Sequence, residues 1–237
     1  MTNVTRIHLV RHGVVEARWS GRLYGDLDVE LSAEGREQAR QAAVRLAAQP
    51  LDAVVSSDLA RARFGAEQIA EGRELEVRVQ PALREISRGA WAGRPIEEVK
   101  AENPGALEAW FAAPEHSRPP EGESIHDLRS RVLPALQALA DEHRGGELAV
   151  VAHGWVIRST LGWILGLPAV ALTRLHIPPA TIATIDWHPE HGLDLSGDLG
   201  PSLDGPHLGT PNLVGIQMDQ LPPSNRGWYR APTKATS

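Results

Sequence analysis

The chain contains no cysteine. That excludes disulfides, thiolate nucleophiles, iron–sulfur clusters and cysteine-ligated zinc from its chemistry. It also lacks a basic excess. Lysine and arginine number 24 against 30 aspartates and glutamates, a formal charge of −6, so no nucleic-acid or anionic-membrane partner is expected. No apolar run approaches the ~20 residues that a bilayer crossing requires. The opening residues Met1–Arg6 carry no apolar signal core, and a cytoplasmic location is the expectation. A hydrophobic share of 42% over 237 residues suffices for a sizeable core in one domain, or in one domain with an extension.

The most informative stretch is Ile7-His8-Leu9-Val10-Arg11-His12-Gly13. A run of strand formers ends abruptly in a cation, an imidazole and a glycine that permits a sharp turn. Far away, Leu148-Ala149-Val150-Val151-Ala152 ends in His153-Gly154 in the same way. Open α/β sheets place their ligands at the carboxyl ends of strands. Two buried strands that each terminate in His-Gly therefore point to a site rather than to packing.

The intervening pattern supports such a sheet. Residues 6–10 read as a first strand, followed by a glycine-punctuated loop to about Val29. Ser32 is placed to cap a helix whose apolar face comprises Ala39, Ala42, Ala43, Leu46 and Ala47, with Pro50 as its stop. Residues 51–55 form a second strand, residues 59–71 a helix, and residues 75–79 a third strand. This rhythm predicts an α/β fold in three α/β/α layers, with a mostly parallel sheet flanked by helices. Residues 81–123 read as a cap-like insertion with short helices near Ile96–Glu102 and Ala106–Phe111. Ser124 and Asp127 resemble a capping box that opens a long amphipathic helix containing Pro134, which should bend or weaken it. A helix from about Val156 to Leu165 and a late strand over 181–187 complete a domain placed at 1–190. Residues 191–237, rich in proline and glycine, show no helical or strand period and are expected to form an irregular C-terminal extension, anchored through Leu213, Val214, Ile216, Met218, Trp228 or Tyr229.

Four positions form a candidate cluster, namely Arg11, His12, Arg61 and His153, with Glu85 as a fifth. Arg61 lies in Ser56-Ser57-Asp58-Leu59-Ala60-Arg61-Ala62, near a helix start that already favours anions. An arginine adds a fork of donors matched to phosphate oxygens. Arginines and histidines without matching acids imply a bound anion, of which a phosphoryl group is the natural candidate.

These segments resemble the histidine phosphatase superfamily, in the branch that contains cofactor-dependent phosphoglycerate mutases and acid-type phosphatases. The resemblance spans roughly residues 6–187. It runs through Arg11-His12-Gly13, Gly21-Arg22, Tyr24-Gly25, Leu31-Ser32-Ala33-Glu34-Gly35 and the Ser56–Ala62 segment. It continues through Leu83-Arg84-Glu85, Gly89-Ala90-Trp91-Ala92-Gly93, Gly122-Glu123-Ser124 and Val151-Ala152-His153-Gly154. It implies His12 as a nucleophile forming a phosphohistidine and Arg11, Arg61 and His153 as holders of the phosphoryl oxygens. Glu85 would give a proton to the leaving alkoxide and, in a hydrolase, take one from water, a role favoured where burial or negative charge stabilises the protonated carboxyl. No metal or other cofactor is implied.

The departures bear on substrate. Where family members carry Glu-Thr or Gln-Thr and then Asn, this chain has Val14, Val15 and Arg18. Arg18, Arg22, Tyr24, Gly25 and Arg88 become the candidate substrate rim, with Arg18 and Arg22 suited to a second anionic group. The mutases' Glu-Arg-His-Tyr-Gly signature is absent, since Ile86-Ser87-Arg88-Gly89 follows Glu85, and the insertion is short. Both observations favour a phosphatase over a mutase, and the resemblance implies small phosphorylated metabolites as substrates, such as α-ribazole phosphate, sugar phosphates or phosphoglycerate derivatives. The alternatives are a bisphosphoglycerate-dependent phosphoglycerate mutase, a silent phospho-ligand binding module and, last, a metallohydrolase. A homodimer is a further possibility. His8 reads as structural, and Trp91, Trp110 and Trp155 as packing or cap residues.

Overall fold

A computed structural model of the chain describes residues 4–192 and 209–217. Its elements are β1 (Thr5–Arg11), α1 (Ala33–Leu46), β2 (Ala53–Ser56), α2 (Ala60–Ala70), β3 (Val77–Val79), α3 (Ile96–Glu102), α4 (Ala106–Ala112), α5 (Ile125–Glu142), β4 (Glu147–Ala152), α6 (Gly154–Ile164), β5 (Ile182–Gly192) and β6 (Gly209–Gln217). The six strands are ordered β3-β2-β4-β1-β5-β6. The first four are mutually parallel, and β5 and β6 run antiparallel to their neighbours.

The period of two along each strand sorts the core into two faces. Ile7 and Leu9 of β1, Leu148 and Val150 of β4, and Ile185 of β5 face the larger cluster, under α5, α6 and the insertion. Val10, Ala149, Val151 and Ile182 face the smaller one, under α1 and α2. Each fully buried leucine, isoleucine or valine is worth ~1.5–3 kcal/mol of burial. Small residues set the second layer's spacing. A Cβ on Gly65 of α2 would stand 3.3 Å from Val151, so the helix lies close on the sheet.

The caps hold as the sequence suggests. Ser32 Oγ accepts from Gly35 N–H, and Ser124 and Asp127 form a reciprocal capping box. Each such cap contributes about 1 kcal/mol. α5 continues through Pro134 to Glu142. Its packing outweighs the one backbone hydrogen bond that proline removes. α1 ends at Leu46, before Pro50 is reached, and Ala47 is exposed rather than part of the apolar face. α6 begins two residues earlier than its apolar pattern, directly at Gly154.

The segment after residue 190 departs from the expectation of no strand, because Gly209–Gln217 pairs with β5 at the sheet edge. Leu213, Val214 and Ile216 lie in that strand; Met218, Trp228 and Tyr229 lie outside the described residues. The pairing carries register shifts, and Pro211 stands opposite Trp187. An edge strand tolerates both a proline and a bulge, which is why alternation is lost there. Among the described residues no helix is long and apolar enough to cross a membrane.

Candidate active site

Register brings the two His-Gly segments together. β1 and β4 are parallel neighbours with Arg11 opposite Ala152, so His12 and His153 are the next residues off adjacent strand ends. His12 N–H donates to the Ala152 carbonyl at 3.1 Å, and the two imidazole centres lie 5.1 Å apart. On the other side of β4, Ser57 follows the end of β2 and donates its N–H to the Val151 carbonyl at 3.0 Å. Three parallel strands thus deliver His12, His153 and Ser57 to one spot.

The turn after His12 is fixed by contact. A Cβ on Gly13 would meet the Gly35 carbonyl oxygen at 2.0 Å, so only glycine lets the loop lie on the start of α1. His12 Nδ1 lies 2.7 Å from the Gly13 carbonyl, which can only accept, so the proton sits on Nδ1. Arg61 Nε–H donates to His12 Nε2 at 3.3 Å. Both bonds assign the lone pair to Nε2, where it accepts from Arg61. Burial, Arg61 and Arg11 together hold the His12 pKa well below the usual imidazole value, so the ring is neutral near pH 7.

Arg61 is buried, and three bonds orient it. Nη1 and Nη2 donate to the carbonyls of Leu27 and Gly25 at 2.6 and 2.7 Å, and the guanidinium lies 5.5 Å from the Tyr24 ring centre. Asp28 of the same loop accepts from Ala60 N–H at 2.8 Å and so caps α2, which carries Arg61. Tyr24 and Gly25, expected at the substrate rim, here support Arg61.

His153 is fully buried, and burial with Arg61, His12 and Arg11 depresses its pKa as well. Its Nε2 bonds Ser57 Oγ at 2.6 Å, while Nδ1 has no partner among the described residues. Arg11 Nη1 donates to the Ile177 carbonyl, and its Nε is likewise buried without a partner. The guanidinium lies against Gly154, where a Cβ would stand 3.5 Å from it. Buried donors with no acceptor are rare and call for a cause. Here the Arg11 Nε–H donor and a His153 ring nitrogen, both buried and unpartnered, flank His12.

Glu85 is 7% exposed. Its carboxylate accepts from Ile86 N–H at 2.9 Å and from Trp155 N–H, in the first turn of α6, at 3.2 Å. Arg131 of α5 grips the loop behind it by donating to the carbonyls of Ala82, Arg84 and Glu85 and to the Glu123 carboxylate, whose Oε2 in turn accepts from Ser87 N–H. The sequence motifs contained Ser57, Gly154 and Glu123 but gave them no role. Arg131 was not singled out either, because apart from Glu123 its partners are main-chain carbonyls nearly fifty residues away.

The remaining rim residues separate. Arg18 is 65% exposed in its side chain and pairs with Glu16 at 2.7 Å. Arg22 donates to the Gly93 carbonyl at 2.9 Å. Both line an open cleft of about 540 Å³ with Trp19, Arg94, Pro95 and Glu98, and none of Arg11, His12, Arg61, Glu85 or His153 lines it. Arg88 is buried beside Trp110 and Trp155. His8 is committed to Glu147 and Thr184 at 2.7 and 2.9 Å, a structural role.

The family model described as the histidine phosphatase superfamily (branch 1) matches residues 7–195. A protein of Cronobacter sakazakii named "Probable phosphoglycerate mutase GpmB" is 32% identical over 214 residues, covering 90% of this chain and 99% of its own. A mycobacterial glucosyl-3-phosphoglycerate phosphatase superimposes with a TM-score of 0.71 at 34% identity, over 78% of this chain and 91% of its own. YhfR of Bacillus stearothermophilus gives 0.72 at 30% identity, over 76% and 90%. With a match running from β1 through β5 and relatives aligned along nearly their whole length, the chain belongs to branch 1 of the histidine phosphatase superfamily.

Proposed function

We propose that the chain is a phosphomonoesterase that hydrolyses small phosphorylated metabolites through a phosphohistidine on His12. Members of the superfamily transfer phosphoryl groups, as mutases or as phosphatases. The observation that carries the nucleophile is the fixed tautomer of His12, with Nδ1–H on the Gly13 carbonyl and the unprotonated Nε2 turned to Arg61, whose Nε–H it accepts at 3.3 Å. In this reading Nε2 attacks phosphorus while the ester P–O bond breaks, and Glu85 gives its proton to the departing alkoxide. Arg11, Arg61 and His153 hold the three phosphoryl oxygens as charge redistributes. Water then attacks the phosphohistidine, Glu85 takes back a proton, and inorganic phosphate leaves.

Hydrolysis rather than mutase chemistry is favoured by Ile86-Ser87-Arg88 after Glu85, in place of the mutase signature, and by a short insertion whose α-helices among the described residues are two of seven residues each. The solved mycobacterial relative named as a phosphatase supports the same choice. The mutase reading rests on the curated relatives' name. Phosphate release and interconversion of phosphoglycerate isomers, measured side by side on the purified protein, separate the two. Phosphate release without isomer interconversion is expected. Interconversion that outruns release and requires a bisphosphorylated primer makes it a mutase, and tight phosphate binding with neither activity makes it a silent binding module.

A further inference from the structure

Of the three proposed phosphoryl holders, His153 alone depends on its surroundings for a donor. A guanidinium carries N–H on every nitrogen, but a neutral imidazole has a donor on one nitrogen and a lone pair on the other. Burial, with the charges of Arg61 and Arg11, holds the His153 pKa well below the usual imidazole value, so the ring is neutral near pH 7. The nitrogen that bears the proton then decides whether the ring offers an anion a hydrogen bond or a repelling lone pair.

Ser57 bears on that choice. Its Oγ lies 2.6 Å from His153 Nε2, and both residues are fully buried. The same Oγ accepts from Leu59 N–H at 3.2 Å, at the start of α2. Among the described residues the hydroxyl hydrogen meets no acceptor other than His153 Nε2. Were the ring proton on Nε2, the hydroxyl would accept twice and its own hydrogen would be buried without a partner, which burial penalises. The ring proton therefore belongs on Nδ1, the nitrogen that is buried and unpartnered. Ser57 is itself anchored, since its N–H donates to the Val151 carbonyl at 3.0 Å and its carbonyl accepts from Ser56 Oγ at 2.7 Å. The hydroxyl thus bridges β4, which ends just before His153, and α2, which carries Arg61.

We infer that Ser57 is a positioning residue: its hydroxyl, oriented by Leu59 N–H, donates to His153 Nε2 and so presents His153 Nδ1–H to a phosphoryl oxygen. The inference rests on the phosphohistidine reading of the site given above. The two imidazoles then share a tautomer and differ in use. In His12 the Nδ1 proton is committed to the Gly13 carbonyl and Nε2 is kept for attack, whereas in His153 Nε2 is committed to Ser57 and Nδ1–H is kept for the ligand.

Nitrogen-15 NMR of histidine-labelled protein at neutral pH reads the tautomer directly, with the His153 signals assigned by their loss in His153→Asn. The wild type shows His153 protonated on Nδ1. Ser57→Ala moves the proton to Nε2, wholly or in part, and lowers kcat/KM for phosphate esters by about 30-fold, the scale of one hydrogen bond to a charged group. Ser57→Thr, which keeps the hydroxyl, keeps the wild-type tautomer and stays within about threefold of wild-type kcat/KM. An Nε2–H tautomer in the wild type overturns the inference. So does Ser57→Ala that loses activity with the Nδ1–H tautomer intact, which is a packing role, or that changes tautomer with kcat/KM undiminished. Should the variants fail to fold, the wild-type spectrum with and without inorganic phosphate decides: phosphate shifts the Nδ1–H signal if the inference holds, and an unmoved signal overturns it. Should no ester turn over, the phosphatase reading falls instead, and calorimetric affinities for inorganic phosphate replace kcat/KM. A loss of about 30-fold in Ser57→Ala then upholds the inference, and equal affinities, or no binding by the wild type, overturn it.

Discussion

At the scale of single residues, His12 is held by two hydrogen bonds that agree about its lone pair, and by cations that keep it unprotonated. His12→Ala should lower kcat by ~10⁴ or more, as loss of a nucleophile does, while the melting temperature stays level or rises because a buried imidazole beside cations is removed. Substantial turnover in that variant excludes His12 as the attacking group. Glu85→Gln should cost alkyl phosphates ~10²–10⁴ in kcat and p-nitrophenyl phosphate far less, since its leaving group needs little protonation; equal losses contradict the proton-donor role. The depressed pKa values of His12 and His153 also fix a pH effect. The unfolded chain binds a proton at each ring below about pH 6.5, and the folded chain does not until far lower. Stability therefore falls as pH drops below about 6.5, by at most ~1.4 kcal/mol per pH unit per ring. Urea midpoints at about pH 7.5 and pH 5.5 read this; a His12→Asn, His153→Asn double variant with the same slope as wild type refutes the attribution.

At the scale of elements, the site consists of three strand ends and the loops that they release. The strand ends were legible in the sequence, because Leu9-Val10 and Val150-Val151 are runs that only burial explains and each stops at His-Gly. The capping box of α5 was legible because its signal spans four consecutive residues. The grip on Arg61 was not, because the carbonyls of Gly25 and Leu27 carry no side-chain code. The same holds for Arg131, which reads as an ordinary helical arginine yet clamps the loop bearing Glu85. Arg131→Met should reproduce the leaving-group signature of Glu85→Gln in weaker form, about tenfold on alkyl esters, the worth of a charged hydrogen bond. A uniform loss across leaving groups makes Arg131 a residue of general stability instead.

At the scale of the whole molecule, a doubly covered, mostly parallel sheet gathers cations and imidazoles from residues 11, 12, 61 and 153, which the proposed phosphoryl ligand would compensate. The sheet and its layers followed from periodicity. The edge strand β6 did not, since glycine and proline interrupt its alternation. A site built for an anion should be stabilised by one. Vanadate or phosphate at about 100 times its Kd adds about 2.7 kcal/mol, a rise in melting temperature of roughly 5–10 °C for a chain of this size. Arg61→Ala should remove most of that rise, and an undiminished rise in the variant places the anion elsewhere. The most direct measurement is to quench turnover of a phosphate ester in base, where a phosphohistidine survives, and to locate the phosphoryl group by mass spectrometry. A single acid-labile group on His12 is predicted. Turnover with no phosphorylated histidine, or with the group on any other residue, contradicts the central claim.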